Sequence, residues 1–394
     1  MTFTSCCRWS LALLAACTTA PSMAGDDDGG DDAPAVVASS HFQTFFDVPL
    51  VDGTIDHTLE NKIIDVIGMM APHSELHMSM FHFNQQKVAD AIIAAYTTND
   101  IHPHIIIDRE VNLVDGSLRD AIQSLQKALP ADAIVQCTRG KGSCIGDGID
   151  HNKLYAFSEL TDGSKNVVVQ TSENLVDKPL HNNMVIDRDD PQLYTGYVAY
   201  WEQMKKHAPD ADPDLDFYTT VDGDHTIAYF FPRETGDTIV SVLDHVKCTS
   251  ASTLRIAMAF WDDGRIAIAN KLGDLEDHGC DVRVLMRHAG PQDSQTVIDT
   301  LRKHHIPVGL YPDQHDANIH SKYMAIDSKY DTGGTYEHRQ LVFTGSHNYL
   351  GSSLRKNDET LLRVDDPDVF AAFMDNWKTI RKQIDDATPD TIQE

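Results

Sequence analysis

The chain has 394 residues, 41% of them apolar, enough for two domains or one large two-lobed unit with ample core. No internal stretch approaches the roughly 18 consecutive apolar residues of a membrane-spanning helix. Its 60 acidic and 32 basic residues give a formal net charge of −28 at pH 7, which argues against nucleic acid and strongly anionic membranes as bulk partners, although a local basic pocket could still exist.

In chain order, the first element reads as an export signal over residues 1–24. Arg8 precedes the apolar run Trp9 to Ala16, a positive-then-apolar pattern. Two processing sites compete. Ser22-Met23-Ala24 before Gly25 fits release to the periplasm or the medium, whereas Leu14-Ala15-Ala16-Cys17 resembles a lipobox and would give an outer-membrane lipoprotein anchored at Cys17. Residues 25–42 begin with an Asp/Gly run too polar to fold and read as a flexible linker.

A first lobe over 43–206 opens on Phe45-Phe46 and then alternates helix and strand. Helical periods run over Asn61–Met70, Lys87–Tyr96 and Leu118–Leu129, and strand patterns over Glu75–Phe83, His104–Ile107 and Ala133–Cys137. A polar stretch, 207–220, reads as the linker. The second lobe, 221–385, opens on Tyr229-Phe230-Phe231 and repeats the order before a short tail at 386–394. Its helices are expected over Thr238–Val246, Arg265–Leu275 and Ser294–His304, and its strands over Leu254–Phe260 and Val282–Met286. Such alternation predicts an α/β fold of two similar αβα-sandwich lobes with mixed, largely parallel sheets.

Four cysteines follow the signal: Cys137, Cys144, Cys248 and Cys280. An even number in an exported chain points to disulfides, with three pairings open. Cys137 with Cys144 would brace the glycine-rich segment before His151, and Cys248 with Cys280 would tie neighbouring strands. The absence of a C-x2-C pair disfavours zinc.

The most informative pattern is His320-x-Lys322-x4-Asp327, with an imperfect earlier copy at His151-x-Lys153. Alternate residues of a strand share a face, so each His and Lys would point at one target. Two such faces together supply a nucleophile, an acid for a leaving oxygen and positive charge for phosphoryl oxygens, the needs of phosphodiester cleavage. Both copies lead to an S-x-N, Ser172 to Asn174 and Ser346 to Asn348. Asp189-Asp190-Pro191 then precedes Trp201 as Asp365-Asp366-Pro367 precedes Trp377. Asp before Pro is a helix start, so both halves should end with one helix begun in the same way. His82, Phe83, Phe260 and Trp261 fall at strand ends where they could line a cleft.

On these residues, and on Asn357-Asp358-Glu359, the chain from about 45 to 385 resembles the phospholipase D superfamily. The resemblance implies two lobes about a pseudo-twofold axis with the active site between them. It implies a two-step displacement through a phosphohistidine, with no metal or other cofactor. Lys153 and Lys322 would bind the non-bridging oxygens, Asn174 and Asn348 would donate to them, and Ser172 and Ser346 would orient the groups. The sequence departs from the family twice: Ser158 stands where the first motif should end in Asp, and Asn182-Asn183-Met184 stands where a counterpart of Glu359 is expected. The expectation is therefore that Glu359 backs His320 as nucleophile and that His151 is the general acid. The implied activity is hydrolysis of a glycerophospholipid head group, with transphosphatidylation as a side reaction. Its expected partners are a zwitterionic phospholipid and, transiently, a membrane surface, with a monomer sufficient for the site. The alternatives are an endonuclease of the same family and a weakened lipid- or partner-binding pseudoenzyme.

Overall fold

A computed structural model describes residues 41–287, 294–313 and 315–387. The expected signal, Cys17, nearly all of the acidic linker and most of the tail lie outside them.

The first half contains β1 (Phe42–Asp47), α1 (Thr58–Gly68), β2 (Glu75–Met80), α2 (Gln86–Asn99), β3 (His102–Asp108), α3 (Asp120–Ala128), β4 (Ile134–Cys137), β5 (Lys153–Glu159), β6 (Lys165–Thr171), β7 (Leu180–Asp187) and α4 (Pro191–His207). The second contains β8 (Thr219–Asp222), β9 (Thr226–Phe231), α5 (Thr238–Asp244), β10 (Thr253–Met258), α6 (Ile266–Asp277), β11 (Asp281–Met286), α7 (Gln295–Lys303) and β12 (Val308–Leu310). It closes with β13 (Asn318–Ile319), β14 (Lys322–Asp331), β15 (Tyr336–Gly345), β16 (Glu359–Asp365) and α8 (Pro367–Ala387).

Two mixed sheets result, ordered β1-β7-β6-β5-β2-β3-β4 and β8-β9-β16-β15-β14-β10-β11-β12. Helices cover both faces, as expected, but the pairing is less parallel than the alternation implied. Within these two orders, parallel pairs are confined to β2/β3/β4 and β10/β11/β12, where helices make the crossovers. The motif strands instead run into short connections and pair antiparallel, β5 with β6 and β14 with β15. A few residues suffice to reverse a strand, whereas a parallel return needs a crossover of a dozen or more.

Alternation along β5 explains the layering. Leu154 and Ala156 join a core containing Tyr197, Tyr200 and Trp201 of α4, Phe370, Phe373 and Trp377 of α8, and Tyr323, Ala325 and Val342 of the second sheet. Tyr155 and Phe157, on the opposite face, pack instead with Ile63, Ile92 and Ile122 of α1 to α3. The equivalent outer core of the second half joins Ile256 and Met324 to Ile239, Leu272 and Leu301 of α5 to α7. The order is helix, sheet, helix, sheet, helix, with α4 and α8 shared between the sheets.

The duplicated Asp-Pro and Trp signals play matching parts. Asp190 caps α4, accepting the Leu193 N–H at 2.9 Å, and Asp366 accepts from Val369 at 2.9 Å. Such caps are each worth about 1 kcal/mol. Trp201 Nε1 donates to Met78 O at 2.9 Å and Trp377 Nε1 to Ile256 O at 3.1 Å, anchoring each helix to the equivalent strand of its own half. Disulfides join Cys137 to Cys144 and Cys248 to Cys280, with Cα separations of 4.7 and 5.0 Å.

Candidate active site

The two motif strands are stitched to opposite halves. The His151 N–H donates to Asp358 O at 2.9 Å, and the His320 N–H donates to His181 O at 3.0 Å. The residues just before each motif complete the crossing: Asp150 bridges Asp358, and Asn318-Ile319 pairs parallel with Leu180-His181. Each motif histidine therefore meets the start of a strand of the other half.

This crossing corrects the expected pairing. Glu359 backs His151, not His320: Oε2 lies 2.9 Å from His151 Nδ1. His320 Nδ1 lies 2.9 Å from Asn182 Oδ1. Asn182 and Glu359 are equivalent by register, since Ser172 pairs with Asn183 as Ser346 pairs with Thr360. The serines repeat the relation, Ser346 Oγ donating to Glu359 at 2.6 Å and Ser172 Oγ to Asn182 at 3.3 Å.

The charges differ accordingly. Burial by itself would raise the Glu359 carboxyl, but His151, His347 and the Ser346 hydroxyl outweigh it and hold the group at about 2. His151 is brought down to about 4, burial and Lys153 outweighing the Glu359 charge. At neutral pH the pair is thus a carboxylate and a neutral imidazole. A carboxylate only accepts, so Nδ1 carries the proton and the Nε2 lone pair is left for the cleft. His320 is held well below its ordinary value by burial, with Lys322 and Lys153 adding to the effect. It has no carboxylate to offset this.

Lys153 and Lys322 are buried, and each donates its Nζ to the carbonyl of its own motif histidine, Lys153 at 2.7 Å. Burial brings Lys153 down to about 7 despite the nearby Glu359, and lowers Lys322 well below its usual range. Both are costly cations without an anion between them. Above them lies a cleft of about 680 Å³ lined by His151, His320, Asn174 and Asn348. The Oδ1 atoms of both asparagines are buried with no protein partner.

A clamped loop supports the first histidine. The Asp358 carboxylate accepts from Ser143 Oγ at 2.8 Å and from the amides of Cys144 and Gly146 at 2.5 and 2.8 Å. The Cys137–Cys144 disulfide closes the segment that presents those donors. Its glycines permit the approach, since a Cβ on Gly146 would stand 1.8 Å from Lys356 O.

Of the residues expected at the site, one is elsewhere. Asp327 lies five residues past Lys322, about 17 Å along an extended strand. There it pairs with His338 at 2.5 Å and Gln340 at 2.9 Å. Ser158, its counterpart, accepts the Glu75 N–H at 2.8 Å. The missing first Asp therefore removes nothing from the cleft. His82 and Phe260 line the cleft, whereas Phe83 and Trp261 are core. Lys141, Lys178, Arg287 and Lys356 also line it. Nothing in their sequence spacing marks them, because four separate segments supply them.

A family model described as cardiolipin synthase, PLD-like domain matches residues 243–381. That segment, about a third of the chain, is similar to a PLD-like domain and contains the second His-x-Lys pair, His320 and Lys322. No curated protein matches the sequence. Among solved structures, phosphatidylserine synthase of Haemophilus influenzae Rd KW20 is similar in fold, with a TM-score of 0.59 at 12% identity over 89% of this chain and 88% of that one. Polyphosphate kinase of Porphyromonas gingivalis gives 0.52 at 12% identity, covering 85% of this chain and 50% of the kinase. Both likenesses concern the fold alone.

Proposed function

We propose that the protein is an exported phospholipase D-type phosphodiesterase that cleaves the head-group phosphodiester of glycerophospholipids. The observation that carries the reading is the crossed His151–Glu359 pair, facing a cleft shared with His320 above two buried lysines. His151 Nε2 attacks phosphorus and forms an N–P bond as the P–O bond to the head-group alcohol breaks. His320 protonates the departing oxygen. Water then attacks phosphorus, the P–N bond breaks, and the water proton passes to His320. Lys153 and Lys322 hold the non-bridging oxygens as charge shifts. The roles are reversed from the sequence expectation because the imidazole that becomes a phosphohistidine gains positive charge, and the carboxylate is on His151. A substrate phosphate between the lysines would raise the pKa of His320 and let it enter as the acid.

Both motif histidines line one cleft, and His151 is neutral beside its carboxylate, which favours turnover over a binding-only protein. Export is supported by the two disulfides, and no described helix is long and apolar enough to cross a membrane.

The test is turnover of short-chain phospholipid with EDTA present, quenched in base and analysed by peptide mass spectrometry. The expected adduct is a phosphatidyl or phosphoryl group on His151, with release abolished in His151→Ala. An adduct on His320 would reverse the roles, and no release from any phospholipid would sink the lipid reading.

A further inference from the structure

The cleft is basic in an acidic protein. The chain carries nearly two acids for each basic residue, 60 against 32. Among the described residues the cleft lining inverts this: Lys141, Lys178, Arg287 and Lys356 stand against one acid, Asp147, which Lys356 already approaches at 3.6 Å. Neither Lys141 nor Lys178 forms an ion pair with a described residue, and both are solvent-exposed. Lys141 and Lys356 are fixed on one wall, because the Lys141 N–H donates to Gly148 O at 2.7 Å and the Gly148 N–H to Lys356 O at 2.9 Å. Lys178 comes from the β6–β7 loop, beside Asn174. Arg287 follows β11 and stacks over Phe260, 4.3 Å from the ring centroid.

A phosphodiester brings one negative charge, which Lys153 and Lys322 beneath the histidines suffice to meet. The outer cations need another anion. Resting on the phosphodiesterase reading, we infer that the substrate carries a second anionic group beside the scissile phosphate, held by Lys141, Lys178 and Lys356. The favoured class is a phospholipid whose head-group alcohol itself bears a carboxylate or a second phosphate, not the zwitterionic lipid expected from net charge. A long polyanion fits less well, since it would run from the basic cleft onto a surface dominated by the chain's acidic residues.

The test compares kcat/KM on monomeric dihexanoyl-phosphatidylserine and dihexanoyl-phosphatidylcholine, which avoids the charge of a vesicle surface. The wild type should prefer the serine lipid at least tenfold, and the ratio should collapse to within threefold of unity in Lys141→Ala/Lys178→Ala/Lys356→Ala. In parallel, calorimetry should find pyrophosphate bound at least tenfold more tightly than orthophosphate, with the margin lost in the triple variant. Equal handling of the two lipids, or a preference that survives the triple variant, overturns the inference. No turnover of either lipid but a pyrophosphate margin that depends on the lysines would remove the lipid reading and keep the second-anion site. Loss of that margin in the wild type would overturn the inference even then. Preference for a single-stranded oligonucleotide over both lipids would overturn the choice of a lipid.

Discussion

Replacing Glu359 with Gln tests the assignment of His151 as nucleophile. The change keeps the shape and removes one charge 2.9 Å from His151 Nδ1. As the N–P bond forms, the imidazole gains positive charge spread over the ring, roughly 4 Å from the carboxylate centre. At an effective dielectric of about 20, that attraction is about 4 kcal/mol. One factor of ten in rate corresponds to about 1.4 kcal/mol, so formation of the phosphohistidine should slow by about a thousandfold. Stability should also fall, because Asn357 Nδ2 donates to Oε1 at 3.2 Å and a Gln amide would face it with a second donor. An unmet buried donor costs about 1–3 kcal/mol. The assay is burst release of p-nitrophenol from a p-nitrophenyl phosphodiester, whose leaving group needs little protonation and so isolates the first step. Under these conditions Asn182→Ala, which removes the backing of His320 and leaves that of His151 intact, should slow the burst by less than tenfold. A larger loss in Asn182→Ala than in a folded Glu359→Gln variant would refute the reasoning.

Two further outcomes follow from the site. The kcat/KM profile should rise near pH 4 as His151 becomes neutral and fall again no higher than about pH 7, because Lys153 must be charged to bind phosphate and His320, held well below its ordinary value, must carry a proton; an alkaline limb above pH 9 would remove Lys153 from that role. The same charges act on stability. Glu359 is depressed to about 2 from 4.5, so its contribution is fully present above about pH 4.5 and is lost as pH falls through 2. Acid unfolding of Glu359→Gln should therefore be shallower in that window. The disulfides should separate stability from activity. A loop of 7 residues predicts a loss of about 2.5 kcal/mol for Cys137→Ser/Cys144→Ser, and a loop of 32 about 3.7 for Cys248→Ser/Cys280→Ser. Thermal melts should rank the second as the greater loss, whereas kcat should fall mainly in the first, whose loop amides hold Asp358 beneath His151. Equal kcat in the two variants would contradict that coupling.

Much of the architecture was legible from local signals. The Asp-Pro caps, the paired tryptophans and the two His-x-Lys strands are short-range patterns, and each marks the same feature in both halves. Helix periods located α1 to α3 and α5 to α7 to within a few residues, because apolar spacing reports which side of an element is buried. Sheet direction was less accessible. Alternating helices and strands suggested parallel pairing, but β5 to β7 and β14 to β15 turn back through connections that lack helices, and β15 returns to β16 through a loop with one short helix, Gly351–Arg355.

The sequence by itself singled out the candidate groups: two imidazoles and two lysines in His-x-Lys pairs, with serine and asparagine following at similar spacing. It also determined the asymmetry, Glu359 in one half and Asn182 in the other. Only the tertiary structure decided which histidine receives the carboxylate. That depends on each motif segment being hydrogen-bonded at its start to the opposite half, through contacts 207 and 139 residues distant in the chain. Spacing reports neighbours along one strand and says nothing of such crossings. The same limit hid the basic cleft, whose cations come from four separated segments, while net charge summed over the whole molecule pointed the other way.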